Sequence, residues 1–184
     1  ESNTKPSTAV ATRCFTGTAW TQLGSKIDTP NARAVDVDGF ASSDAGTVVG
    51  TDVFIANGDS IDVFWSVHQL SGREWKPFDI AVRDAKWQSQ GSLYTVGDAF
   101  WSFQFDQQAL PSGYRARFWV RAASASSGRS TTVGGAPVLA PTTLYGPPAY
   151  DLATLGSFVY VAFSMPESAS KTQGIVVRRV AVGG

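Results

Sequence analysis

This 184-residue chain has room for one sizeable core, and its fifteen Lys and Arg balance fifteen Asp and Glu. That balance leaves no long-range field to draw phosphate backbones or an anionic membrane, which excludes binding of nucleic acid through this segment. Charged residues make up only 16 %, against ~25 % in ordinary globular proteins, so a mostly neutral, polar surface is expected.

In chain order, the polar residues 1–8 read as a flexible start, unlike a secretory signal. Together with the closing Gly183-Gly184 they suit the trimmed ends of something larger. Apolar residues then recur with period two between Gly, Pro, Asn and Asp, which predicts strands over 10–15, 18–23, 34–37, 53–56 and 60–67. Asn57-Gly58 joins the last two as a type I′ hairpin turn. Further strands are expected at 78–82, 93–96, 99–105, 114–122, 157–165 and 175–182. Residues 124–136, rich in Ser and Gly, read as a mobile loop, and 149–155 as the one short helix. So many strands exceed one flat twisted sheet, so the expected fold is all-β. It is a single domain over 1–184, a two-sheet antiparallel β-sandwich of jelly-roll or related Greek-key type. No run approaches the ~20 apolar residues of a membrane-spanning helix, so no membrane insertion is expected.

The strand 114–122 carries the clearest pattern. Tyr114, Ala116, Phe118, Val120 and Ala122 line one face, and Arg115, Arg117, Trp119 and Arg121 the other. With the apolar face inward, the arginines form an outward patch around an indole, suited to an acidic glycan or an acidic neighbouring subunit. Arg178 and Arg179 fall on opposite faces of a strand, so one of them needs a buried partner, a sheet edge or another chain.

Of six tryptophans, Trp20, Trp65 and Trp101 stand in apolar alternating runs and read as core. Trp75 and Trp87 stand among Arg73, Glu74, Lys76, Lys86 and Gln88, and are expected as exposed rings in loops that bind ligand. The alternative is that they cap the sandwich ends. Catalysis finds little support. His68 is the one histidine and Cys14 the one cysteine, a small buried hydrophobe in Arg-Cys-Phe that cannot form an intramolecular disulfide. Carboxylate pairs exist at Asp36 and Asp38, Asp59 and Asp62, and Asp79 and Asp84, and loop solvation accounts for them as well as hydrolysis does. Asp36-Val-Asp-Gly39 with Asp44 faintly resembles a calcium loop, but lacks its closing Glu. Neither cofactor nor metal is expected.

In texture the chain resembles viral coat or spike domains: low in charge, rich in Ser, Thr, Ala, Gly and Val, nearly free of His and Cys, with the run 155–166 ending a strand at Pro166. The resemblance implies a non-enzymatic structural and attachment domain at a virion surface or outside the cell. Such a domain forms homo-oligomers and binds a glycan or protein receptor. The competing expectation is a carbohydrate-binding module or lectin. The binding residues expected are Trp75, Trp87, Arg115, Arg117, Trp119 and Arg121.

Overall fold

The computed structural model describes residues 7–43, 46–81, 84, 86–96, 99–111, 113–124, 130–132, 150–155, 158–166 and 173–181. These residues form strands β1 (Ser7–Val10), β2 (Arg13–Phe15), β3 (Trp20–Gln22), β4 (Ile27–Pro30), β5 (Ala32–Ser43), β6 (Gly46–Asn57), β7 (Ser60–Ser71), β8 (Glu74–Pro77), β9 (Gln88–Val96), β10 (Ala99–Leu110), β11 (Gly113–Ser124), β12 (Ser130–Thr132), β13 (Tyr150–Leu155), β14 (Phe158–Pro166) and β15 (Gln173–Ala181). Every pairing is antiparallel. The fold is all-β, as the period-two pattern implies, and no helix occurs among the described residues.

Two four-stranded sheets, β5-β6-β7-β8 and β9-β10-β11-β12, each follow chain order. They pack face to face through Ala41, Val48, Trp65, Val67, Phe78, Ile80, Leu93, Phe100 and Ala123. Trp65 anchors this contact. Its indole Nε1 donates to Ser102 Oγ at 3.1 Å, and its backbone N–H donates to Ser89 Oγ at 2.9 Å. The ring fits only because glycines flank it. A Cβ on Gly50 would lie 2.1 Å from the ring, and one on Gly91 2.5 Å.

The second sheet has no open face along β10. Phe100, Ser102, Gln104 and Asp106 point toward the first sheet, while Trp101, Phe103 and Phe105 point away, and all seven are buried. The first sheet is likewise covered behind, where Val49 and Trp75 pack on Val10 and Ile27 of the β1–β4 ribbon. The molecule is thus a stack of layers.

Several local expectations change. The hairpin turn is centred on Gly58-Asp59, since Asn57 pairs with Ser60. Positive φ occurs at Gly58 alone (58°), the pattern of a type II′ turn and not of type I′. Ser7 and Thr8 belong to the β1–β4 ladder, not to a flexible start. In place of a strand over 78–82, β8 lies earlier and the chain turns at Asp79 and Ile80, burying Phe78 and Ile80. Within 124–136, Ser130–Thr132 is a strand hydrogen-bonded to β11, and 125–129 and 133–136 lie outside the described residues. The expected helix at 149–155 is strand β13, held by a six-pair ladder to β14, while residue 149 is outside the description. Partner strands here outweigh local helical preference.

Candidate functional site

The face of β11 that carries Arg117, Trp119 and Arg121 is turned inward, because these residues stand opposite Asp106, Gln104 and Ser102 in the ladder. This corrects the expected outward patch. Alternation fixes which residues share a face, and the partner strand decides which face is covered. Arg117 is the hub. Its Nε donates to Asp106 Oδ2 at 2.7 Å and its Nη2 to Asp84 Oδ2 at 3.2 Å. Its guanidinium lies 4.1 Å from the Trp87 ring centre and 5.0 Å from that of Trp119. Trp119 Nε1 donates to Asp106 Oδ2 at 2.6 Å, and Gln104 Nε2 to Asp106 Oδ1 at 2.6 Å. Asp106 is only 1 % exposed. Burial pushes its carboxyl above the usual range, against which the Arg117, Gln104 and Trp119 donors pull down. Asp84 is held low, first by the Lys86 backbone N–H and then by Arg117. Arg121 Nη1 lies 3.9 Å from Asp79. Two of the three like charges on this face, Arg117 and Arg121, therefore already meet carboxylates within the chain. Arg115 pairs with Gln108 along the backbone, and its side chain lies outside the described residues.

Trp87 is half-buried, with Arg117 on its ring. It lines a cleft of about 330 Å³ together with Asp62, Phe64, Lys86, Gln88, Gln107, Gln108 and Ala109. Here β7, the turn before β9, and the end of β10 converge. The walls offer two aromatic side chains, three amide side chains and one group of each charge, a set able to hydrogen-bond hydroxyls beside a packed ring.

Trp75 leaves the candidate set. It is 8 % exposed, packs with Val10, Ile27 and Val49, and donates through Nε1 to the Leu23 carbonyl at 3.2 Å. Trp20 moves the other way: 66 % exposed on the β2–β3 hairpin, its ring centre stands 5.3 Å from that of the exposed Phe15. Cys14, on the same hairpin, is exposed and not buried. His68 sits inside β7 between Val49 and Pro77, in a different sheet from Cys14. Arg179 lies 4.5 Å over the Phe158 ring, and the Arg178 side chain is outside the described residues.

A second cleft, of about 210 Å³, is lined by Asp36, Asp38, Asp52, Phe54, Gln90, Gly91 and Ser92. Asp36 stands directly opposite Asp52 in the β5–β6 ladder. Asp38 occupies the register shift between Val37 and Gly39, a bulge within a strand where a loop was expected, and it hydrogen-bonds Asp52. Asp52 is the residue that spacing alone missed. Among the described residues, no group of three or more His, Cys, Asp or Glu is arranged to hold a metal ion, and Asp44 lies outside them.

No protein-family model and no curated protein matches this chain. Among solved structures, the Bombyx mori GH32 beta-fructofuranosidase BmSUC1 aligns over 82 % of this chain and 35 % of its own length, at 7 % identity and a TM-score of 0.44. The chain thus spans about a third of that protein, and a likeness this distant carries no argument about activity.

Proposed function

We propose that this chain is a non-enzymatic glycan-binding module that takes hydroxyl-rich sugar in the Trp87 cleft. The observation that carries the proposal is an aromatic ring fixed by stacking on Arg117 and lining a cleft with Gln88, Gln107, Gln108, Asp62 and Lys86. A ring held in place before binding loses little freedom on complex formation. The test is a glycan array followed by titration of the best hit. Gln108→Ala and Lys86→Ala should each weaken binding about tenfold or more, with melting unchanged. Binding equal to the parent in both variants overturns the proposal.

A second reading, attachment and self-assembly in the manner of a virion surface domain, draws on the exposed Phe15–Trp20 pair, an apolar contact that another copy of the chain would cover. Native mass decides it. Stable trimers or larger shells that dissociate in Trp20→Ser support this reading, and a monomer at all concentrations removes it.

A further inference from the structure

We propose that the chain assembles head to tail, with the β2–β3 hairpin of one copy lying on the outer face of the β13-β14-β15 sheet of the next. This rests on the self-assembly reading above and names the surface that receives the hairpin.

Of the eight large hydrophobics left exposed among the described residues, five fall on these two surfaces: Phe15 and Trp20 on the hairpin, and Leu155, Ile175 and Val177 on the sheet. The hairpin is open on both sides. Its ladder has three residue pairs, Arg13 with Gln22, Cys14 with Thr21 and Phe15 with Trp20, and all six residues are exposed. A two-stranded hairpin is marginal in water by itself, and a surface covering its aromatic side steadies it. Alternation puts Arg13, Phe15, Trp20 and Gln22 on that side, with the two ring centres 5.3 Å apart.

Register builds the receiving face. Asp151, Ala162 and Val177 stand in one row across the three strands, Ala153, Tyr160 and Arg179 in the next, and Leu155 and Phe158 in the row after. Leu155, Ile175 and Val177 are exposed on this side and Phe158, Tyr160 and Ala162 half-buried, whereas Val159, on the other side of β14, is fully buried. The outer side of the sheet is thus the apolar one left open. Both surfaces stay exposed within one chain, so neither covers the other.

Charge selects the pairing. Arg13 is the one charged residue on the ring side of the hairpin ladder, so hairpin against hairpin about a two-fold axis brings like charges together. On the sheet, Asp151 shares its row with Val177, while the Arg179 guanidinium is drawn over the Phe158 ring at 4.5 Å. Hairpin on sheet gives Arg13 a carboxylate and covers both apolar surfaces in one contact. Two different surfaces that meet make a heterologous contact, which closes as a ring or grows as a chain. Burial of the exposed parts of Phe15 and Trp20 removes roughly 200–300 Å², against ~800 Å² per partner in a standard interface, so the rings are the anchor and the hairpin's polar residues the rim.

The test is sedimentation velocity of the whole chain over roughly 5–500 μM, a range that reaches small contacts. Trp20→Ser disables the hairpin, and Ile175→Ser with Val177→Ser disables the face; all three positions are exposed, so melting should match the parent. Each variant alone should assemble about tenfold or more weakly than the parent, and an equimolar mixture should form one-to-one pairs, because each retains the half that the other lacks. Arg13→Asp should also loosen assembly about tenfold, and Asp151→Arg added to the same chain should restore it. If the face variant melts below the parent, Leu155→Ser replaces it. A face variant that assembles like the parent, a mixture that stays monomeric, or an Arg13→Asp loss that Asp151→Arg does not restore overturns the proposal and leaves self-assembly by another contact standing. A parent that is monomeric throughout removes both.

Discussion

Asp106 and Asp52 are the same side chain in nearly the same burial, at 1 % and 4 % exposure, yet the chain provisions them in opposite ways. Asp106 receives Arg117, Trp119 and Gln104 from its own and the neighbouring strand. Asp52 receives another acid, Asp38, and faces a third, Asp36. A buried carboxylate is stable as a charge only where donors are built around it; where they are missing it keeps its proton. The first arrangement spends its hydrogen-bonding capacity within the fold. The second leaves Asp52 Oδ1 without a partner among the described residues, a cost that the fold carries.

The comparison breaks most sharply at Arg117. Arg117→Met leaves Asp106 buried without its counter-charge and should lower unfolding free energy by ~3–5 kcal/mol in urea titration, with Asp106→Asn added on top restoring much of the loss. A single variant within ~1 kcal/mol of the parent would mean that the ion pair is immaterial. Trp119→Phe keeps an aromatic side chain but deletes the five-membered ring with its donor to a charged acceptor, an expected loss of at least ~1.5–3 kcal/mol by the same measurement. The other side of the comparison shows in pH. Asp52 has its pKa raised on folding from 3.8 to about 8, so the folded state binds the extra proton between those values. Its contribution is fully present below about pH 4, is lost as pH rises to about 8 at up to ~1.4 kcal/mol per unit, and is flat above. Asp52→Asn should flatten that slope in melts across pH, and an unchanged slope would assign it elsewhere. Smallest of all, Trp20→Ala on the open hairpin should move stability by no more than ~0.5 kcal/mol, whereas loss of a core ring costs ~3–5.

Most strands were readable because alternation is a local signal, and so was the presence of two packed sheets, whereas β12 and β13 were read as loop and helix and the strand expected at 78–82 is a turn. The direction of the β11 face was not. Arg117 looks solvated until Asp106 is set opposite it by a hairpin register that no single strand encodes. Trp20 and Trp75 exchanged roles for a related reason. Trp75 sits among charges in sequence, but its indole reaches the Leu23 carbonyl 52 residues away. Trp20 sits among apolar neighbours, but on a hairpin whose residues stay exposed. The spacing of Asp36 and Asp38 was visible, and their convergence on Asp52 required both the β5–β6 register and the bulge.

With β10 buried on both sides, the second sheet is an interior layer of the molecule and not an outer wall. Disturbance then travels by relay. A lesion at Trp65 reaches whatever rests on Trp101, Phe103 and Phe105 only by displacing β10 itself, so the middle sheet sets how far damage in one layer spreads to the next.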